Sequence, residues 1–368
     1  MEIKGKFNTA IVFTEEIDIN ARMQIKELCD QNWTSGLKIR IMPDVHAGAG
    51  CTIGTTMTVT NKIVPNLVGV DIGCGVEVVK FKKINIDFEE LDDFIYGNIP
   101  SSFKVYDKPV EYFDLKDLKC VENLKNHERL IRSVGTLGGG NHFIEVSKDE
   151  KGFLYLQVHS GSRNLGKQVA EFYQQKAWKQ LRKNPPAEGK VPKALSYLQG
   201  KDFYDYINDM KIVQRFATRN REIIADRIME RFSINPIERF ATIHNYIDLD
   251  MMIMRKGAVA AKKGEKLIIP MNMRDGSLIC IGKGNPEWNY SAPHGAGRLM
   301  SRTEAKKSLS LQGFKETMKG IYTTSVNMKT LDEAPFAYKP IEKILTYVKD
   351  TVEISDIIKP LYNFKAEE

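Results

Sequence analysis

The feature that most constrains the fold of this chain is a pair of apolar runs, each of which meets a histidine beside glycine. The first run, VGTLGGGNHFIEV, carries His142 just after a triple glycine, and the second, YLQVHSGSRNLG, carries His159 before Ser160 and Gly161. Glycine lets the backbone approach a ligand closely. A histidine at the end of an apolar run beside such a loop is well placed to hold a metal or a phosphate. We therefore expect other segments to bring further ligands to these two histidines.

A third stretch, LVGVDIGCGVEVVKF at residues 67–81, offers such ligands. Its Val, Ile and Leu content predicts a buried strand, broken by a turn around Asp71 and Cys74. A carboxylate in such a strand is costly to bury unless it is paired or binds a metal. Thiolate and imidazole suit Zn, Mn, Fe or Cu better than Mg or Ca. The alternative is a free core cysteine beside a capping aspartate, but the two histidines favour a metal site.

A second region with many candidate site residues begins at RKGAVAA and ends at SAPHGAGRLMSR. In it, lysines and arginines are interspersed with glycines. It matches neither a Walker A loop nor a dinucleotide fingerprint, but cations beside close-approaching amides predict a phosphate cradle, with Lys283 between two glycines. His294 lies near Lys283 and Arg298 in sequence, and cations disfavour a protonated imidazole. A neutral His294 is a candidate nucleophile toward phosphorus. The alternatives are a fifth metal ligand and a hydrogen-bonded loop histidine.

Apolar periodicity predicts the elements around these motifs. We expect strands at 7–13 and 38–42, an exposed loop at 182–193, and helices at 17–29, within 82–130, at 167–180, over 203–232 as one helix or a pair, and at 341–348. Asp44 and His46, in MPDVHAGAG, either form a hydrogen-bonded pair in a glycine-rich turn or take part in the site. The arginines of the 203–232 segment either form a solvated face or touch a phosphate backbone; they are Arg215, Arg219, Arg221 and Arg227.

Composition narrows the class of protein. The chain of 368 residues has a formal net charge of +7, which leans mildly toward polyanionic partners. Its five cysteines show no CxxC spacing, so we expect a reducing compartment rather than a disulfide framework. No apolar run approaches the roughly 20 residues of a membrane span, and the first residues do not follow the pattern of a signal peptide. We therefore expect a cytoplasmic protein with no membrane partner.

Seven motifs resemble, in order, the motif set of the RtcB-type RNA ligases: MPDVHAGAG, VGVDIGCG, GTLGGGNHFIEV, HSGSRNLG, HNYID, RKGAVAA and SAPHGAGRLMSR. The resemblance implies an enzyme that joins an RNA 3′-phosphate or 2′,3′-cyclic phosphate end to a 5′-hydroxyl end, in RNA repair or tRNA splicing. It implies GTP and two Mn²⁺ ions as cofactors, a histidine–GMP intermediate, and, in some members, dependence on a small activating protein called archease.

The resemblance also implies one compact α+β domain over residues 1–368, because ligands spread along most of the chain must meet in one site. Central sheets would line a metal and nucleotide cleft, and helices would lie outside. The helical segment at about 165–232 would lie along the cleft.

Metal ligands follow from the resemblance residue by residue. Asp71, Cys74 and His142 would hold one manganese ion. Cys74, His159 and His244 would hold the other, so that the thiolate bridges the pair.

Roles toward the nucleotide follow in the same way. His294 would be the catalytic residue that becomes guanylylated, Lys365 would grip the guanine nucleotide, and Tyr338 would stack near the base. The other implied guanylate contacts are Asn141, Glu145, His244, Asn245, Pro270, Asn272, Met273, Ser277, Gly295, Ala296 and Gly297.

The chain also departs from the family pattern. Where many members carry a PGSMG-like turn, this chain has PMNMRD, with Asn272 in place of a phosphate-binding serine and Arg274 in place of a glycine. Our hypothesis is a divergent subgroup devoted to RNA repair. Two rival functions are a metal-dependent cyclic phosphodiesterase that does not ligate and a non-catalytic RNA-binding protein. A phosphodiesterase would not need His294 or Lys365. A non-catalytic RNA-binding protein would be expected to have lost metal ligands.

Overall fold

Two large, mainly antiparallel sheets form the centre of the protein. The structure is a computed structural model that describes residues 1–187 and 189–366. Its strands are β1 (Glu2–Lys4), β2 (Thr9–Val12), β3 (Ile39–His46), β4 (Ile53–Thr58), β5 (Lys62–Ile63), β6 (Gly75–Phe81), β7 (Phe143–Lys148), β8 (Leu154–Ser160), β9 (Leu198–Gln199), β10 (Pro236–Ile243), β11 (Asn245–Asp248), β12 (Ile253–Lys256), β13 (Ala258–Ala260), β14 (Lys266–Asn272), β15 (Gly276–Gly282), β16 (Ser291–Pro293) and β17 (Val352–Lys365).

Helices complete an α+β fold, which confirms the predicted fold class. They are α1 (Ile19–Cys29), α2 (Phe88–Asn98), α3 (His127–Arg132), α4 (Arg163–Lys183), α5 (Lys201–Arg231), α6 (Arg302–Ser308), α7 (Leu311–Thr317) and α8 (Ile341–Tyr347). The predicted helices at 17–29, 167–180 and 341–348 correspond to α1, α4 and α8, and the 203–232 segment forms one helix, α5. Within the described ranges, no helix is long and apolar enough to cross a bilayer.

The seven-stranded sheet, in the order β10-β6-β8-β7-β17-β15-β14, collects several loops at one end. Gly75 at the start of β6 pairs with Ser160 at the end of β8, and Phe143 at the start of β7 pairs with His159. Lys365, at the end of β17, pairs with Phe143. Because neighbouring strands are antiparallel, residues just before β6 and β7 lie beside residues at the ends of β8, β10 and β17.

The six-stranded sheet, in the order β1-β2-β3-β4-β12-β11, contributes a second set of residues. The pairing of β3 with β4 shifts in register between Ile41 and His46, so Asp44 lies in an irregular part of the strand. A separate two-stranded ribbon of β13 and β16 ends at Pro293, directly before His294. The irregular part of β3 and the end of β16 bring Asp44, from the first half of the chain, into contact with His294, from the second half.

The helices predicted within 82–130 are present as α2 and α3. Side chains hold the irregular backbone between these two helices in place. The buried Asp209 of α5, for example, accepts hydrogen bonds from the backbone N–H groups of Lys119 and Cys120 at 2.7 and 3.0 Å. The segment 67–81, predicted as a strand broken by a turn around Asp71 and Cys74, contains that turn. Its first part is not a strand, so this part of the prediction is wrong, and β6 begins only at residue 75. Gly69 and Gly73 have φ angles of +97° and +73°, which take the preceding backbone out of the extended conformation.

Candidate functional site

Five potential ligands converge at the loop end of the seven-stranded sheet. Cys74 lies in the turn before β6, His142 directly before β7, His159 near the end of β8, and His244 between β10 and β11. With Asp71 they form two groups, Asp71–Cys74–His142 and Cys74–His159–His244. In each group the ligand atoms lie within 4.8 Å of one another. Cys74 belongs to both groups, so its sulfur lies where a bridging ligand would be needed.

The Cys74 thiol lies at the centre of this cluster. Its Sγ atom is 3.5 Å from Nε2 of His142 and 3.3 Å from Nε2 of His159. Burial, together with the negative charge of Asp71, raises the pKa of the Cys74 thiol well above its ordinary value. A bound cation reverses this effect, because it stabilises the thiolate.

Hydrogen bonds from the outer side of the cluster orient its histidines. Nδ1 of His142 lies 2.8 Å from the carbonyl oxygen of Leu137, and Nδ1 of His159 lies 3.1 Å from that of Asn141. A carbonyl oxygen only accepts, so Nδ1 carries a proton in both rings. Nε2 of His159 then presents its lone pair to the cluster, whereas Nε2 of His142 also faces Oδ2 of Asp71 at 3.1 Å. Burial lowers the pKa of His159 and His244 well below the ordinary histidine value, which keeps both imidazoles neutral. Buried thiol, neutral imidazoles and a carboxylate are a donor set that fits a transition metal.

Arg221 of α5 braces the loops that carry these ligands. Its guanidinium is fully buried and donates to the carbonyl oxygens of Gly73 and Ser160 at 2.7 and 3.0 Å. It therefore lies behind the cluster rather than at a solvated face or an RNA surface. Arg219, on the same helix, pairs with Glu111 at 2.7 Å.

His294 lies beside the cluster and is oriented by Asp44. The ring centres of His294 and His244 are 4.9 Å apart. Nδ1 of His294 lies 2.6 Å from Oδ2 of Asp44, whose side chain is fully buried. A carboxylate accepts, so Nδ1 donates and Nε2 keeps the lone pair that a nucleophile needs. The Asp44 carboxylate thus pairs with His294, and not with His46, whose Nδ1 faces the Asp44 carbonyl oxygen at 2.9 Å.

The predicted phosphate cradle around Lys283 is wrong. The backbone N–H groups of Gly282, Lys283 and Gly284 all donate to protein carbonyl oxygens at 2.8–3.0 Å, so they are not available to a phosphate. The exposed Lys283 ammonium donates to the carbonyl oxygen of Lys349. Lys283 therefore does not act on His294, and Asp44 is the group that orients that ring.

A cleft of about 350 Å³ opens beside the cluster. His159, His244 and His294 line it, so two of the five potential ligands and the candidate nucleophile share one space. Most residues that the resemblance assigns to the nucleotide also line it; they are Asn141, Glu145, Pro270, Asn272, Met273, Ser277, Gly295, Ala296, Gly297, Tyr338 and Lys365. Asn245 is the exception among these described residues. Its side chain donates to the Asp71 carbonyl oxygen and accepts from the N–H of Gly257, at 3.1 and 2.9 Å.

The turn that departs from the family pattern is closed by its own side chains. Oδ1 of Asn272 accepts from the backbone N–H groups of Arg274 and Asp275 at 3.0 and 2.9 Å. The Arg274 guanidinium binds the Asp275 carboxylate at 2.7 and 3.0 Å and the Thr317 hydroxyl at 2.8 Å. Asn272 is therefore largely engaged within the turn, although it lines the cleft.

Sequence reasoning missed several residues that line the cleft. Phe143, Glu333 and Asn363 all line it, and so does His46, which the sequence offered only as a possible site residue. Glu333 precedes the APFAYK segment that carries Tyr338, and Asn363 lies two residues before Lys365, so each was adjacent to a recognised residue.

Comparison with known proteins agrees with this geometry. The family model described as "RtcB: tRNA-splicing ligase RtcB" matches residues 34–123 and 112–366. The chain is similar to the RNA-splicing ligase RtcB of Escherichia coli (strain K12), with 30% identity over 86% of this chain and 87% of the relative. It is also similar to the tRNA-splicing ligase RtcB of Aeropyrum pernix, with 28% identity over 83% and 82% of the two chains.

Proposed function

The chain belongs to the RtcB family, an RNA-splicing ligase family, and we propose that it is a GTP- and manganese-dependent RNA ligase. Its substrates would be RNA 3′-phosphate or 2′,3′-cyclic phosphate ends and 5′-hydroxyl ends. The observation that carries this proposal is the single cleft lined by cluster histidines, by His294 and by most of the assigned nucleotide contacts. An enzyme that only opens cyclic phosphates would not need a buried carboxylate to orient His294.

The Cys74-centred cluster would hold two ions, one on Asp71, Cys74 and His142 and the other on Cys74, His159 and His244. Bound divalent ions neutralise phosphate charge and so favour displacement at phosphorus. The donor set accepts several transition metals, and our proposal of manganese rests on the family resemblance.

His294 would attack the α-phosphorus of GTP through Nε2. An N–P bond forms, the bond from the α-phosphorus to the bridging oxygen breaks, and pyrophosphate leaves. Asp44 holds the Nδ1 proton and stabilises the positive charge that the ring acquires during attack. The product is a phosphoramidate that carries GMP on His294.

Ligation would then follow in two transfers. An oxygen of the RNA 3′-phosphate attacks the guanylate phosphorus, which breaks the N–P bond and forms a P–O–P bond. The RNA 5′-hydroxyl next attacks the activated 3′-phosphorus, a phosphodiester forms, and GMP leaves. A 2′,3′-cyclic end would first be hydrolysed to the 3′-phosphate.

Lys365 and Tyr338 would contact the guanine base. The Lys365 ammonium is buried, lies 3.1 Å from the carbonyl oxygen of Asn141 and stands 5.3 Å from the centre of the Phe143 ring. Glu145 lies in the same cleft, and its carboxylate accepts from the side chains of Gln157 and Asn363 at 2.9 and 2.8 Å. The base would thus meet hydrogen-bond donors from Lys365 and Tyr338 and an acceptor from Glu145.

The physiological RNA would be cleaved RNA that needs repair. The self-closed turn at Asn272 motivates this proposal, because it differs from the turn that many family members use. Ligation rates on nicked hairpins and on spliced tRNA halves test it, and faster ligation of tRNA halves would contradict it. Both substrates are assayed with and without archease.

The test of the proposed reaction is covalent labelling with GTP carrying ³²P at the α-phosphate, in the presence of Mn²⁺. The variants are His294→Ala and, as a matched control, His127→Ala, an exposed histidine that contacts the Val121 carbonyl oxygen. We expect acid-labile label on the wild type and on the control variant, and none on His294→Ala. If metal-loaded wild type with archease stays unlabelled but opens cyclic phosphates, the phosphodiesterase is the correct function.

A further inference from the structure

Glu333 is a buried carboxylate in the wall of the cleft for which the proposed reaction has no role. It ends the short 3-10 helix Leu331–Glu333, and its side chain is 3% exposed. A carboxylate is costly to bury unless its charge is matched by hydrogen bonds and cations. The residues that neutralise the charge of Glu333 therefore indicate what this carboxylate does.

The partners of Glu333 are groups that also line the cleft. Oε2 accepts from the Lys365 ammonium at 2.7 Å and from the Tyr338 hydroxyl at 2.7 Å. Oε1 accepts from the Arg302 guanidinium at 2.6 Å and lies 3.5 Å from that of Arg298. One carboxylate thus connects the two residues proposed to contact the base and two further cations.

Charge explains why this carboxylate matters to the geometry. The buried Lys365 and the half-buried Arg302 would repel each other without an anion between them. The Tyr338 hydroxyl would also lose the acceptor that fixes the direction of its proton. Neutralising Glu333 would therefore leave the backbone in place and release the two base-facing groups from their positions.

We propose that Glu333 is a positioning residue that fixes the Lys365 ammonium and the Tyr338 hydroxyl for recognition of the nucleobase. An ammonium only donates, so a fixed Lys365 selects a purine with an acceptor at ring position 6 and rejects one with an amino group there. Glu333 would in this way set the preference for GTP over ATP. The inference rests on the proposed function, since it takes this cleft to be the GTP site.

The neighbouring residue Asp332 provides a matched control. It is 2% exposed and binds the same Arg302 at 2.5 Å, and it also pairs with Lys306 at 3.4 Å. Among the described contacts, its carboxylate reaches neither Lys365 nor Tyr338. Asp332→Asn therefore removes a buried charge from the same ion-pair network without touching the base-facing pair.

The experiment measures the rate of covalent GMP formation against GTP concentration, and then with ATP, for Glu333→Gln, Glu333→Asp and Asp332→Asn. For Glu333→Gln we expect the KM for GTP to rise about 10-fold or more, with kcat within about threefold of the wild type. The GTP-over-ATP preference should fall by a similar factor. Glu333→Asp should restore part of both, and Asp332→Asn should leave the KM within about twofold.

A double-mutant cycle separates positioning from general stability. If Glu333 acts through Lys365 and Tyr338, Glu333→Gln should change the KM by less than about twofold in a background that carries both Lys365→Met and Tyr338→Phe. Additive effects, or a lower kcat with unchanged KM and unchanged nucleotide preference, would overturn the proposal.

Calorimetric binding of GTP keeps this inference separate from the proposed reaction. If the wild type forms no covalent GMP, the proposed reaction fails, and the Kd for GTP still tests the inference. Weaker GTP binding by Glu333→Gln, with unchanged binding by Asp332→Asn, supports it. An equal Kd for the wild type and Glu333→Gln overturns it.

Discussion

Nδ1 of His294 lies 2.6 Å from Oδ2 of Asp44, although 250 positions separate the two residues. The same oxygen accepts from the backbone N–H of His294 at 3.1 Å. One buried carboxylate therefore fixes both the ring and the backbone of the candidate nucleophile. The orientation of His294 depends on an irregular strand from the opposite half of the chain.

Replacing Asp44 with asparagine should disable His294 without removing the metal. An amide that donates to Nδ1 shifts the ring proton to Nε2, which removes the attacking lone pair. We expect the rate of guanylylation to fall by about 10² to 10⁴. Radiolabel incorporation measures the rate, and elemental analysis should find the same metal content as in the wild type. A labelling rate within about threefold of the wild type would contradict this role.

Replacing Cys74 with serine should remove the shared ligand of both proposed ions. A serine hydroxyl is a poor substitute for a thiolate toward a transition metal, so we expect metal affinity to fall by about 10-fold or more. Elemental analysis after dialysis measures the loss. Cys280→Ser is the control, because Cys280 is equally buried but lies in the apolar core. Equal metal content in both variants would rule out Cys74 as a ligand.

Stability at acid pH should report the Glu333 ion pairs. Burial favours the neutral acid, but the charges of Lys365 and Arg302 outweigh it and hold the pKa of Glu333 at about 2, against 4.5 for the free side chain. Because the folded-state pKa is depressed, the stabilisation is complete above pH 4.5 and is lost as the pH falls toward 2. It amounts to roughly 3 kcal/mol.

The difference in unfolding free energy between the wild type and Glu333→Gln should therefore shrink between pH 6 and pH 3. Urea denaturation at each pH measures it. The variant Asp332→Asn is measured in parallel to account for general acid effects. A difference between wild type and Glu333→Gln that stays constant over this range would contradict the assignment.

The irregular segment before α3 should depend on a single buried carboxylate. Asp209 accepts from two backbone N–H groups and from the Tyr173 hydroxyl at 2.8 Å. Asp209→Ala leaves these donors unsatisfied, and we expect a loss of about 3 kcal/mol in unfolding free energy. Asp205→Ala removes an ion pair with the exposed Lys201 and should lower the unfolding free energy far less. Equal losses in the two variants would contradict the argument.

Much of the candidate site could be predicted from local sequence. His142 and His159 lie at apolar runs beside glycines, and Asp71 and Cys74 share a glycine-rich turn. Their ligand-type side chains and the flexible backbone beside them were enough to predict one shared metal site. The long helix α5 was also predictable from its apolar periodicity. The absence of a strand over 67–70, before the predicted turn, was not predictable. Apolar content alone does not show that Gly69, at positive φ, takes the backbone out of the extended conformation.

The sequence by itself determined the kinds of ligand, their attachment to strand ends and the α+β class, because these depend on residue chemistry and short-range backbone geometry. Only the tertiary structure decided which charged groups are partners. The sequence placed Lys283 near His294, whereas the fold holds Lys283 against Lys349 and places Asp44 beside the ring. It likewise joins Glu333 to Lys365 and buries Arg221 behind the cluster. Such pairs form between segments that are distant in sequence. The chain has many carboxylates and cations of the same chemistry, so the sequence does not show which of them pair. Only the packing of the sheets selects among them.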